Sequence, residues 1–185
     1  MAVVAVSART IFLTALANGV LEIVSPAEKA GRIERLSQTE CVQGHCFTRP
    51  RWGNQRLQEG AHVSLGIQSV ALNGIFVFAN QNIAGGELVA QYIGEVLTRE
   101  AYVERECWKL LFSDRTFGIQ VNSSQVIDAR YIGGIARFAN HAYRPNCVVE
   151  SWEVAEEICC GLFADFDIAR GDEITFNYGS SPSLR

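Results

Sequence analysis

Between residues 63 and 178 the chain repeats one rhythm, a short β-like run followed by turn residues, and no other feature limits the fold as much. The runs cover 75–79, 88–93, 117–121, 125–129, 147–154, 158–166 and 173–178. Between them stand Gly85-Gly86, Asn122-Ser123-Ser124 and Gly171-Asp172, the residue types that hairpins and tight turns require. One stretch breaks the rhythm: over 98–112, Val103, Cys107, Leu110 and Leu111 recur at helical spacing, with Glu100, Glu104, Arg105 and Lys109 mostly on the other side. Sixteen glycines and ten phenylalanines in 185 residues also fit many short strands better than a helical bundle. The expected class is mainly β with a few helices.

The front of the chain reads differently. Ser7 can cap a helix running to about Asn18 with Gly19 placed to stop it. Ser25, Pro26 and Glu28 form the cap, first-turn proline and third-position glutamate of a second helix carrying Ala30, Ile33 and Leu36. The expected organisation is therefore a helical extension over 1–40, a loop-rich junction over 41–60 with Pro50 and Gly53, the main domain over 61–179 and a short tail over 180–185. The apolar start lacks a Lys or Arg before Arg9, and Thr10, Thr14 and Asn18 interrupt it, so neither a signal peptide nor a membrane span is expected.

A formal net charge of −4 gives no basic stripe for direct nucleic-acid binding and suits a basic partner. Six cysteines, at 41, 46, 107, 147, 159 and 160, show no regular framework, which points to a reducing compartment. Cys159 and Cys160 are adjacent in a strand-like run and so face opposite sides, which excludes shared ligation of a metal.

Four segments carry candidate chemistry. They are Asn73-Gly74-Ile75-Phe76-Val77-Phe78-Ala79; Tyr92-Ile93-Gly94-Glu95-Val96; Ile127-Asp128-Ala129 leading to Arg137-Phe138-Ala139-Asn140-His141 and Pro145-Asn146-Cys147; and Gly171-Asp172-Glu173-Ile174-Thr175-Phe176-Asn177-Tyr178. Each alone is a weak signal, but four in this order and spacing are a strong one. Together they resemble the SET domain of protein lysine methyltransferases. Trp52-Gly53-Asn54-Gln55-Arg56-Leu57-Gln58 looks like the end of the cysteine-rich AWS segment that precedes the domain in one subgroup. The resemblance implies small curved sheets around a knot-like C-terminal segment, and methyl transfer from S-adenosylmethionine to a lysine side chain, on histones first of all.

It also implies roles for particular residues. Tyr178 matches the active-site phenol, and Tyr92 a second tyrosine walling the same site. Asn140 and His141 resemble the pair that holds the cofactor, with Arg137 just ahead of them, while Asn73, Gly74 and Ile75 match the glycine turn that approaches it closely. Phe176 matches the position that limits how many methyl groups fit, and a phenylalanine there implies room for di- or trimethylation. Thr116 or Phe117 stands where the family usually has a tyrosine; Thr116 is assigned to the substrate side and Phe117 to the cofactor side.

Four further departures accompany the match: Phe76 replaces the second glycine of the turn, Ala142 a serine, Asn177 an aspartate, and Tyr143 a cysteine that in many relatives binds zinc. Cys41, His45 and Cys46 are three candidate ligands where a closed tetrahedral site needs four, so no metal is expected. The implied partners are a histone tail or another lysine-bearing protein, with the nucleosome as a larger form of the same substrate, and the implied location is the nucleus, on chromatin. The competing expectation is a catalytically weak or inactive SET domain that binds a chromatin partner or peptide.

Overall fold

A computed structural model describes residues 12–15, 21–24, 37–42, 55–70, 74–109 and 116–178. The largest sheet has six strands. Its spine is an antiparallel hairpin, Cys147–Val154 against Glu157–Ala164, extended on one side by Leu88–Tyr92. On the other side the hairpin's first strand is flanked in parallel by Thr175–Phe176 at its start and by Thr39–Glu40 at its end. Asn140–His141 completes the sheet, parallel to Thr175–Phe176. In chain order, with Phe12–Ala15 and Leu21–Val24 as β1 and β2, these strands are β3 (Thr39–Glu40), β6 (Leu88–Tyr92), β10 (Asn140–His141), β11 (Cys147–Val154), β12 (Glu157–Ala164) and β13 (Thr175–Phe176). The last strand is thus inserted between β10 and β11, as a threaded C-terminal segment requires.

Two smaller sheets adjoin it. β4 (Leu65–Val70) pairs antiparallel with β5 (Gly74–Ala79), and β7 (Glu95–Thr98) and β8 (Gly118–Gln120) flank β9 (Gln125–Asp128). The expected turns fall where the strands reverse: Asn122 Oδ1 accepts the amides of Ser124 and Gln125 between β8 and β9, which closes that hairpin. β12 separates two cores. Cys160, Leu162 and Ala164 face the main one, with Val77, Val89, Tyr92, Ile127 and Phe176, while Phe163 packs with Leu57, Leu88, Trp152 and Val154. A strand buried on both faces reads as a continuous apolar run, as this one does from Cys159 to Ala164.

Two expectations need correction. The helix expected from Ser7 to Asn18 is not formed at 12–15, because β1 pairs there with β2 in an antiparallel ladder. Asn18-Gly19 between two runs rich in β-branched and large apolar residues is a stronger hairpin signal than a helix stop. The second expected helix, from Ser25, lies outside the described residues, as do His45, Cys46 and Trp52.

The other correction concerns the helix Arg99–Lys109, which packs through a different face from the one its apolar spacing marks. Tyr102 is buried, while Val103 and Cys107 are exposed. Tyr102 wins because it lies over Gly118, where a Cβ would sit 2.3 Å from its ring, and because Arg105 beside it reaches Glu95 and the buried Asp128. The junction also contains a short helix, Arg56–Glu59, whose first amides are capped from outside: Leu57 N donates to Glu40 Oε1 at 2.7 Å and Gln58 N to Glu40 Oε2 at 3.3 Å.

Candidate functional site

The sheet brings the four motif segments to one place. Because β10 and β13 run parallel, Asn140 lies beside Thr175 and His141 beside Phe176. Asn146 pins the same segment: its Oδ1 accepts Thr175 N at 2.9 Å and its Nδ2 donates to Glu173 O at 2.8 Å. The chain leaving β13 therefore has a defined course into Tyr178. Tyr178 N donates to His141 Nδ1 at 3.2 Å, which places the neutral imidazole's proton on Nε2.

The Tyr178 hydroxyl donates to the carbonyl of Ala139 at 2.8 Å. With its proton committed there, the phenol oxygen has only lone pairs to present elsewhere. Its ring packs against Phe176, centroids 4.7 Å apart, and against His141 at 5.5 Å. Tyr178 is 38% exposed and Phe176 is buried, so this aromatic wall has one wet and one dry side.

Tyr92 closes the dry side. Its hydroxyl donates to the carbonyl of Phe117 at 2.8 Å. Burial first, and then the neighbouring Tyr178 phenol, hold its ionisation well above the usual range, so it stays a neutral phenol. Phe117 is half-buried with its ring against the Arg137 guanidinium, 5.1 Å away, and Arg137 donates through Nη2 to Arg130 O. Thr116 is exposed beside it.

Asn140 links the turn to the C-terminal motif. Its Nδ2 donates both to Ile75 O at 3.2 Å and to Glu173 Oε1 at 2.8 Å. Gly74, next to Ile75, has φ 94°, a conformation that favours glycine. Asn73 lies outside the described residues. Phe76 is turned with Phe78 to the face opposite core-facing Val77, their rings stacked with centroids 6.2 Å apart.

Tyr178, Phe176, His141, Asn140 and the Gly74-Ile75 backbone are thus linked across β10 and β13, and Tyr92 joins them with Phe117 and Arg137, close enough to feel the Tyr178 phenol. Motif reading gave no part to the Ala139 carbonyl, because a backbone acceptor leaves no trace in residue identity. Nor did it give one to Glu173, whose only signal is its place five residues before Tyr178. Carbonyl and phenol oxygens beside an aromatic wall suit the alignment of a partly positive group rather than the removal of a proton by a strong base.

The SET domain family model matches residues 74–179, more than half of the chain. A histone-lysine N-methyltransferase, H3 lysine-36 specific, of Mycosarcoma maydis is 31% identical over 154 residues, covering 80% of this chain and 15% of its own length. The protein of the same description from Yarrowia lipolytica is 35% identical over 152 residues, 82% of this chain and 19% of its own. Histone-lysine N-methyltransferase ASHH2 of Arabidopsis thaliana is 32% identical over 147 residues, 79% of this chain and 8% of its own. The chain thus spans less than a fifth of the length of these three relatives.

Proposed function

The chain belongs to the SET domain family, and from that premise we propose that it methylates protein lysine side chains, histones first, using S-adenosylmethionine. The relatives described as specific for H3 lysine-36 make that histone residue the first substrate to try. On this reading the protein acts on chromatin in the nucleus. The observation that carries the proposal is the Tyr178 hydroxyl, donated to Ala139 O beside Phe176 and one strand from Asn140.

Bound S-adenosylmethionine supplies a methyl carbon on a sulfonium, open to in-line attack by an amine. The residues fit such a group on two counts. Gly74 at φ 94° allows close backbone approach, and the buried Nε of Arg137, without a hydrogen-bond partner among the described residues, is a donor of the kind a carboxylate takes. Asn140, His141, Arg137 and the Gly74-Ile75 backbone would hold it.

The remaining work falls to the chain's own groups. Free lysine has a pKa near ~10.4, and the amine must be neutral to attack. Phe176 and Tyr92 exclude water on the dry side, and desolvation beside a positive charge lowers that pKa without a side-chain base. The Tyr178 oxygen, its proton held by Ala139, orients the amine through lone pairs. A purely binding role has less support, because it gives no account of a phenol and an amide both fixed at the same end of the sheet.

The test is methylation of core histones and nucleosomes by the purified chain, read by mass spectrometry as steps of one methyl mass. Tyr178→Phe is expected to lower the rate by at least ~100-fold while the protein stays folded, in the range for loss of one preorganised transition-state contact. Absence of S-adenosylmethionine binding in calorimetry sinks the proposal.

A further inference from the structure

The geometry points to Glu173 as a positioning residue that fixes the amide of Asn140 for the cofactor, an inference that rests on the proposed cofactor role of Asn140. A side-chain amide has a donor end and an acceptor end, and only its hydrogen bonds decide which way round it stands. Here both partners of Nδ2, the Ile75 carbonyl and the Glu173 carboxylate, are acceptors. An amide turned by half a rotation would set its oxygen against two acceptor oxygens. The orientation is therefore enforced, and Oδ1 becomes the atom that Asn140 offers to a ligand. An amide oxygen accepts, so the ligand group it takes is a donor, and the donor on the amino-acid part of S-adenosylmethionine is its ammonium.

Glu173 is itself well placed to act this way. Its backbone is held by a bridge to Phe78 and by Asn146 Nδ2, so its carboxylate is presented from a fixed point. It is half-buried and stands on the segment that leads to Tyr178. The Asn140 amide thus couples the glycine turn to its own strand, and Glu173 ties that amide to the segment leading into the C-terminal strand.

The experiment measures the dissociation constant for S-adenosylmethionine by calorimetry in Asn140→Ala, Glu173→Ala, Glu173→Gln and the double alanine variant, with thermal melting as the check on folding. Glu173→Ala is expected to weaken cofactor binding about 10-fold, the size of one hydrogen bond to a charged group, with the KM for a lysine peptide unchanged. Glu173→Gln keeps an acceptor oxygen and is expected to recover most of the loss. The double variant is expected to bind no more weakly than Asn140→Ala, because Glu173 acts through Asn140. Equal losses in Glu173→Ala and Glu173→Gln, or additive losses in the double variant, overturn the inference in favour of a direct charge effect. Unchanged binding in Glu173→Ala with weakened binding in Asn140→Ala overturns the inference alone. Unchanged binding in Asn140→Ala overturns both it and the cofactor site on which it rests.

Discussion

Gly94 precedes Glu95 in the Tyr92 motif, and a Cβ there would lie 2.5 Å from the carbonyl oxygen of Asp128. The glycine of this motif is thus required by the packing of two strands and not by chemistry at the site. The glutamate after it has a structural duty too. Arg105 Nη1 bonds Glu95 Oε2 at 2.7 Å and Asp128 Oδ2 at 3.0 Å, and Asp128 is wholly buried. Asp128 Oδ1 accepts the Arg130 amide at 3.0 Å. Asp128 is buried and Arg105 partly exposed, so Arg105→Ala leaves one buried charge without its partner and is expected to lose about 1–2 kcal/mol in chemical denaturation. Adding Asp128→Asn is expected to restore part of that loss, and a double variant worse than the sum of the two would contradict the pairing.

The hairpin of β11 and β12 turns through Ala155 and Glu156, with Val154 paired to Glu157, so only two residues make the loop. Both have positive φ, 50° and 69°, the arrangement in which Asn-Gly is favoured. A residue with a Cβ pays about 1–2 kcal/mol in that region. Ala155→Asn with Glu156→Gly is therefore expected to raise stability by about 1 kcal/mol, seen as a higher melting temperature with activity unchanged. The loop lies at the far end of β11 from Cys147, which pairs with Phe176. At that same end of β11, Thr39–Glu40 adds a strand and Glu40 caps Arg56–Glu59, so these two pieces are fastened beside the second core.

At the scale of the whole molecule, the interior protects phenols as well as apolar side chains. Burial raises the ionisation of Tyr92 and Tyr102, helped by Tyr178 for the first and by the Asp128 charge for the second. Above the ordinary phenol value near ~10 the unfolded chain releases these protons while the folded chain keeps them. Their contribution to stability is thus complete below pH ~10 and falls as pH rises towards the raised folded values. Denaturation midpoints are expected to decline with pH above ~10, and Tyr102→Phe to flatten the decline; an unchanged slope would show that Tyr102 contributes nothing to it.

Class, most strands of the main domain and the family were legible without coordinates, because alternation and turn residues are local and four ordered motifs survive as residue identity; β4 and β7 were not among the expected runs. Tyr178, Asn140, His141 and Phe176 were named for the same reason. The face on which Arg99–Lys109 packs was not legible, since the charges of Arg105 and Asp128 meet only after 23 residues of chain have folded back. Nor was the hairpin at 12–15 separable from a helix by spacing alone. The acceptors of Tyr178 and Tyr92 are backbone carbonyls, and any residue carries one. Which carbonyl is reached depends on how β10 is laid beside β13 and on how the end of β6 meets the segment before β8, matters of long-range packing that no local pattern contains.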